Sequence, residues 1–563
     1  MIEVLSVKNM RDSDARTIAS GTSGRELMMR AGKAIFENVD WKPPVAIICG
    51  SGNNAGDGYV LAKLLHDADI ACTLILLEEK FSADGRYYYD ICRENGIESR
   101  LWEQSGSEPD LWKYSTLVDC IFGTGFRGEV HGKAAEAINA INSSSAYVVS
   151  VDINSGLNGD CGMADLCVVS DLTVSIGSFK PGHFLNMAKD VMKKKVDCDI
   201  GITAVERPYY LLESSDLRPY FTPRPNFSNK GTYGYVALIG GSKRYSGAIR
   251  LAAMANDAVS NSSSQDTGKD ELSDLAAMAN AAMRSGAGVV KIAVPNSLCP
   301  VVAAHVLEST LFPLSDEDGE VKFVESEIAE LISNVKTVAF GMGIGVTEET
   351  AKILNYLLEN YTGKLIIDAD GLTLLSRMNT EKIVNSKPQL VLTPHIKEFS
   401  RLLEGWERSV TGYLDKVQNN NTLDPKDRSI SGKDLIEQSN TNISKKYEIN
   451  SILSTPIEYA EKYAQAHKVT LLLKGPSTII TDGDITYITD TGCAGMATAG
   501  SGDVLSGILA AVCAYIPEKM AFSVAAGAYI NGKAGELAQE KVNSISMTAG
   551  DTVSCIADVI KNL

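Results

Sequence analysis

What most constrains the fold of this chain is a rhythm of short, almost unbroken apolar runs, each closing on glycine or aspartate. In the first two hundred residues the runs 45–49, 73–77, 116–121, 146–153 and 171–176 read as strands separated by helical patterns. Runs rich in Val, Ile and Leu without alternation belong to strands buried on both faces, so a parallel sheet covered by helices is expected. The rhythm fades near residue 210, and the polar, proline-bearing stretch 213–225 is placed as a linker. A second series then begins, with strands expected at 235–239, 289–294, 337–340, 364–367, 389–392, 469–473 and 478–481. The expected architecture is α/β throughout: a Rossmann-like parallel sheet domain over 1–212 and a second α/β domain over 226–563. Polar stretches near 260–274 and 405–450 interrupt the second series and read as surface insertions.

Size and charge narrow the function. At 563 residues more than one core is required. A net charge of −17 argues against nucleic acid or an anionic membrane as partner, although glycine loops bind a dinucleotide without a basic surface. No segment approaches the roughly twenty apolar residues that span a bilayer, and residues 1–16 lack the apolar core of a signal peptide. Eleven scattered cysteines without a Cys-x-x-Cys pair point to a reducing cytoplasm, with neither a disulfide framework nor a zinc site. The six histidines are too widely spread to form a metal cluster.

Three stretches carry the chemistry of the first domain. Cys49-Gly50-Ser51-Gly52-Asn53-Asn54-Ala55-Gly56-Asp57-Gly58 follows a strand and precedes a helix-like run from Tyr59, the usual place to cradle a phosphate. Asp119-Cys120-Ile121-Phe122-Gly123-Thr124-Gly125 and Asp152-Ile153-Asn154-Ser155-Gly156 put further carboxylates at strand ends. Each Asp alone is explained by a turn or cap; three such ends in one sheet favour a shared site. Asn54, Asp119 and Ser155 offer hard oxygen ligands suited to a cation of low charge. Lys180-Pro181-Gly182-His183 either brings a cation near substrate phosphates or forms a turn; the sequence leaves both open.

Residues 1–212 resemble the N-terminal domain of the YjeF family, the NAD(P)H-hydrate epimerases, through Asn-Asn-x-Gly-Asp-Gly and Asp-x-x-Phe-Gly-Thr-Gly. The resemblance implies that Asn53, Asn54, Ala55, Gly56 and Asp57 bind the hydrated dinucleotide. It implies the same of the loop Gly123, Thr124, Gly125, Phe126, Arg127, Gly128 and Glu129. Asn54, Asp119 and Ser155 would hold a potassium ion, and Asp152 would touch the substrate as a catalytic group. Two departures stand out: Ala55 replaces the family's commoner glycine, and Asn154 replaces a proline, which puts the rigidity of that loop in question.

In the second half, Gly495-Met496-Ala497-Thr498-Ala499-Gly500-Ser501-Gly502-Asp503 runs into an apolar helical stretch from Val504. Backbone amides at such a helix start attract an anion, and Asp503 either takes a proton from a nearby hydroxyl or caps the loop. Upstream lie Lys474-Gly475-Pro476-Ser477-Thr478, Thr393-Pro394-His395, Asp368-Ala369-Asp370-Gly371 and Gly341-Met342-Gly343-Ile344-Gly345. Asp368 and Asp370 fit a magnesium site or a turn equally well, and a lone histidine such as His395 is ordinarily a packed or turn residue. Taken in order, the series resembles the YjeF C-terminal domain, a ribokinase-like NAD(P)H-hydrate dehydratase. The resemblance implies that Ala248, Gly345, His395 and Asp503 contact the hydrate, with Asp503 catalytic. Lys474, Gly475, Pro476, Ser477 and Thr478, with Gly500, Ser501 and Gly502, would bind ADP carrying magnesium. ADP is expected over ATP because the fused order is that of bacterial and archaeal enzymes. The resemblance implies a cytoplasmic enzyme repairing NADH and NADPH hydrates, and a homo-oligomer is expected. A ribokinase-like vitamin kinase and a non-catalytic nucleotide-binding protein are the alternatives. The first leaves the N-terminal motifs unexplained, and the second leaves Asp119, Asp152 and Asp503 unexplained.

Overall fold

The computed structural model describes residues 1–102, 110–243, 271–304, 306–419, 447–516 and 519–563. The chain divides into two compact units, Ile2–Leu211 and Leu212–Leu563, the latter with Met1. In the first unit seven parallel strands lie side by side in the order Glu98–Leu101, Cys72–Leu76, Val45–Cys49, Thr116–Cys120, Tyr147–Val151, Leu172–Ile176, Lys195–Cys198. Val45–Cys49, Thr116–Cys120 and Leu172–Ile176 are buried at every position, as expected of strands covered on both faces. Glu98–Leu101 is exposed along its length and carries the Arg100–Glu98 ion pair. Charge on an edge strand discourages pairing with another sheet, and the same charge hides the strand from a reading based on apolar runs. Chain order reverses between Val45–Cys49 and Thr116–Cys120, so a crevice opens at their carboxyl ends.

One helix starts earlier than expected. The helix begins at Asn53, six residues before Tyr59, and runs to Asp67. Asn53 to Asp57 therefore form its first turn and a half rather than a loop. The glycines serve packing: a Cβ on Gly56 would lie 2.4 Å from Met28 Cε, and one on Gly58 2.9 Å from Cys120 Sγ. Ala55 lies inside this helix without a positive φ, so the change from glycine is mild. Asn154 is fully buried, and its amide nitrogen lies within hydrogen-bond distance of Val168 O, Val191 O and Ser170 Oγ, while its oxygen accepts from Thr173 Oγ1. Side-chain hydrogen bonds thus hold the loop that a proline would otherwise stiffen.

In the second unit the strands lie in the order Thr486–Ile488, Ile479–Thr481, Thr470–Leu473, Gln389–Leu392, Lys364–Ile367, Thr337–Phe340, Tyr235–Ile239, Val289–Pro295, Thr310–Leu314. Every pairing is parallel except the two made by Ile479–Thr481, which runs antiparallel to both Thr470–Leu473 and Thr486–Ile488. Thr310–Leu314 and Thr486–Ile488 lie outside the expected strands. The expected insertion at 260–274 falls almost wholly outside the described residues, as does Ala248. The helix Ile396–Asn419 continues past Gly405, and Trp406 packs edge-on against His467 and Tyr463 with ring centroids 5.2 and 5.9 Å apart. The chain is therefore regular at the start of the stretch read as an insertion at 405–450, of which 420–446 lie outside the described residues.

The helix Ser501–Tyr515 is buried from Val504 to Ala514, which suits its uniformly apolar composition. It passes against the helix Glu271–Arg284 so closely that a Cβ on Gly507 would stand 2.1 Å from the Met278 carbonyl oxygen. Gly507→Ala is therefore expected to destabilise this unit by roughly 1–3 kcal/mol. The fall should appear as a lower denaturant midpoint at unchanged slope; an unaltered midpoint would show that the two helices separate without cost.

Candidate functional site

In the first unit a cavity of about 650 Å³ opens at the strand ends flanking the reversal. Asn53, Asn54, Asp57, Gly123, Thr124, Gly125, Phe126, Arg127 and Asp152, all expected from the sequence, line it. Ala55 and Gly56 are buried in the helix behind the wall, and Glu129 points to solvent beside His131. Gly52 caps the helix without a side-chain hydrogen bond, leaving its first amides for an anion.

Beneath the cavity Asp119 is fully buried. Its Oδ1 accepts from Ser155 Oγ at 2.5 Å and Ile121 N–H at 3.2 Å; its Oδ2 accepts from Ser150 Oγ and Ser155 N–H, each at 2.9 Å. Burial raises the carboxyl's pKa against these hydrogen bonds. Asn54 is 7% exposed, and neither atom of its amide has a hydrogen-bond partner. An orphaned buried amide is costly and calls for an occupant. Among the described residues no group of three or more His, Cys, Asp and Glu gathers to hold a metal; the donors here are amide, hydroxyl and carboxylate oxygens.

Asp152 has a positive φ of 65°, uncommon for a residue with a side chain. Its grip is correspondingly firm. Lys180 Nζ, on a side chain 1% exposed, donates to Asp152 Oδ1 at 2.5 Å, and Thr124 donates both its N–H and its hydroxyl to Oδ2. Burial alone would raise this carboxyl, but the charge and hydrogen bond of Lys180 outweigh it and hold it below the usual range. His183 Nε2 donates to the Asp152 carbonyl at 2.8 Å while its Nδ1 accepts from Lys180 N–H. Burial, then the Lys180 charge, depress this imidazole to about 4, so the ring is neutral. Lys180 thus belongs to the site, which the sequence had left undecided against a turn.

In the second unit Gly500, with φ 80°, starts the helix Ser501–Tyr515, again without a side-chain cap. Lys474 Nζ donates to Asp368 Oδ1 at 2.9 Å, and Ser506 Oγ donates to Asp368 Oδ2 at 3.1 Å. Added at Gly502, a Cβ would lie 3.6 Å from both Asp368 Oδ2 and Lys474 Nζ. The glycine loop, Lys474 and Asp368 are therefore one cluster, although 106 residues separate the ion pair. Burial disfavours the Lys474 ammonium, yet Asp368, Glu398 and Asp503 together raise its pKa. Ser477 Oγ and Ser501 Oγ, one in each expected nucleotide loop, are buried without partners. Asp370 Oδ2 accepts from Gly345 N–H at 2.8 Å. His395 is half-exposed, and its Nδ1 accepts from the amides of Lys397 and Glu398, so its ring is held as a helix cap. Burial, with the charges of Lys474 and Arg401, depresses its pKa.

Residues 24–182 match the model of the YjeF-related protein N-terminus, and residues 275–558 match that of NAD(P)H-hydrate dehydratase. The chain is 30% identical over 560 residues to a bifunctional NAD(P)H-hydrate repair enzyme of Moorella thermoacetica, covering 95% of this chain and 92% of the relative. The chain belongs to this family. An enzyme of the same description from Archaeoglobus fulgidus is 29% identical, with 99% of each chain covered. Among solved structures, the ADP/ATP-dependent NAD(P)H-hydrate dehydratase of Bacillus subtilis, co-crystallised with ATP and magnesium, is similar at 21% identity and a TM-score of 0.44. The match covers 64% of this chain and 99% of that one. Family membership accords with the resemblance drawn from the motifs, and the parallel α/β sheets accord with the expected fold class. Among the described residues no helix is long and apolar enough to cross a membrane.

Proposed function

We infer that the chain repairs hydrated nicotinamide cofactors in two steps. The N-terminal unit interconverts the R and S hydrates of NADH and NADPH. The C-terminal unit removes water from the S form while ADP, with magnesium as its counter-ion, becomes AMP and phosphate. The reading rests on family membership along nearly the whole chain together with a cluster of the expected residues in each unit. The eleven free cysteines support a reducing, cytoplasmic setting.

Hydroxide is a poor leaving group, so transfer of a phosphoryl group to the hydrate's hydroxyl makes elimination easy. Asp503 takes the hydroxyl proton. The amides of Gly500, Ser501 and Gly502 and the Lys474 ammonium stabilise charge on the transferring phosphoryl. Asp368 holds Lys474 in place.

In the N-terminal unit the orphaned Asn54 amide and the oxygens of Asp119 and Ser155 fit a potassium ion. When bound, that ion supplies positive charge that offsets repulsion between Asp119 and the substrate's pyrophosphate. The amides of the uncapped helix at Asn53 and the Gly123–Arg127 wall bind and orient the dinucleotide, and Asp152 meets its reactive ring.

Incubation with hydrated NADH and ADP should restore the absorbance of the dihydronicotinamide ring and release AMP and phosphate in equal amounts. A chain that phosphorylates a small alcohol and leaves the hydrate untouched would refute the reading.

A further inference from the structure

The N-terminal cavity holds more carboxyl groups than paired cations. Asp152 is matched by Lys180, and Asp84 lies 3.4 Å from Arg25. Asp14, on the helix Val7–Ala19, and Asp57, on the helix Asn53–Asp67, line the same cavity. Neither accepts a hydrogen bond or forms an ion pair among the described residues. The neighbouring polar residues of the Asp14 helix do the structural bonding instead: Ser13 Oγ accepts from Val205 N–H, and Asn9 Oδ1 accepts from Glu206 N–H. Both carboxyls are half-buried, and a partly desolvated carboxyl without a hydrogen-bond partner is costly unless something outside the fold uses it. The orphaned amide of Asn54 on the same wall independently marks this cavity as built for a ligand.

The substrate's chemistry says what such a carboxyl is for. An enamine takes a proton at its distal carbon and water at the carbon bonded to nitrogen, so the hydrate's hydroxyl sits beside the ring nitrogen. Inversion there needs no redox partner. A carboxylic acid gives its proton to the hydroxyl, the C–O bond breaks as the nitrogen lone pair forms C=N⁺, and water leaves. Water then adds to the opposite face of the planar iminium, and its proton returns to the carboxylate. Atoms and charge balance over the cycle.

We propose that Asp14 is the acid and base of this inversion, an inference that rests on the epimerase reading of the unit. Asp152, held ionised by Lys180, has no proton to give. Burial and the Asp152 charge, opposed by Lys180, lift the Asp14 carboxyl to about 6, so it both gives and takes a proton near neutrality. Burial, then Asp152 and Asp14, raise Asp57 well above the usual range, so it holds its proton and gives it up reluctantly. Arg11 and Arg127, the other cations on the cavity wall, form no ion pair with Asp14 among the described residues. Asp14 also precedes the segment that the family model matches, residues 24–182.

The test uses the full chain with pure R hydrate in ¹⁸O-labelled water, following the S form and its label, and separately pure S hydrate with ADP. Asp14→Asn should lower kcat for inversion by about 100-fold or more. KM should stay within a few-fold, ¹⁸O entry should fall with the rate, and dehydration of the S form should be unchanged. Asp14→Glu should recover part of the rate.

Stability separates this role from a structural one. A folded-state carboxyl raised from 3.8 to about 6 costs stability as pH rises through that interval. Asn at this position removes the cost at pH 7 and should raise Tm, whereas loss of a structural residue lowers it. Inversion in Asp14→Asn within threefold of wild type, inversion without ¹⁸O entry, or a lowered Tm would overturn the proposal. A wild-type chain that dehydrates the S form but never interconverts the hydrates would overturn the epimerase reading itself.

Discussion

Asp503→Asn is expected to lower ADP-dependent dehydration by about two to four orders of magnitude while ADP binding stays within a few-fold. Asp503 is the third residue of the helix Ser501–Tyr515, and its charge acts on the half-buried Lys474 ammonium. Two roles compete for it. A first-turn carboxylate that merely complements the helix dipole is worth about 0.3–1 kcal/mol, so Asn would shift the unfolding midpoint slightly and leave kcat alone. A base on the hydroxyl is irreplaceable by an amide of the same shape, so kcat falls while the phosphate-facing amides still hold ADP. Steady-state turnover on pure S hydrate and ADP titration by calorimetry read the two quantities separately. Near-normal turnover would remove Asp503 from the mechanism; a parallel collapse of ADP affinity would make it a binding residue.

The parts of this chain that sequence makes legible are those where a local pattern and the tertiary structure say the same thing. Val45–Cys49 and Thr337–Phe340 are apolar at nearly every position because both faces of each strand are covered, and no other element suits such short runs. Gly500 is legible for a related reason: a glycine with φ 80° before an apolar helix is what an uncapped, anion-ready start requires. Gly56 and Gly58 mislead, because glycine is disfavoured inside helices and so suggests a loop; here Met28 and Cys120 leave no room for a larger residue. Glu98–Leu101 is invisible because an exposed edge strand has no apolar signal. The pairings that make the sites are harder still. Asp368 meets Lys474 across 106 residues and Asp152 meets Lys180 across 28, and no local periodicity encodes either. Asp14 carries no motif that sets it apart; only its place on the cavity wall without a partner does so.

Removing the Asp119 charge should abolish inversion of the hydrate and spare its dehydration. Asp119 sits at the end of Thr116–Cys120 beneath the cavity, where four donors converge on its two oxygens. Asp119→Ala leaves three of those donors without an acceptor, Ser155 Oγ keeping the Phe122 carbonyl at 3.1 Å, at roughly 1–3 kcal/mol for each one orphaned, so it weakens the N-terminal unit as well as its chemistry. Asp119→Asn isolates the charge, since it keeps the side chain's size and one acceptor oxygen. Its expected phenotype is a folded chain in which inversion is at least about 100-fold slower, a loss of about 2.7 kcal/mol in transition-state stabilisation, and insensitive to potassium. The wild type should respond to potassium, because a cation beside a buried carboxyl favours its ionised form and screens it from the pyrophosphate. Dehydration of pure S hydrate should be unchanged in both variants, because that chemistry draws on Lys474, Asp368 and Asp503 in a separate compact unit. A potassium titration of both activities settles the assignment. If Asp119→Asn keeps the wild-type dependence on potassium, Asp119 is no ligand; if dehydration falls with inversion, the two units do not divide the work.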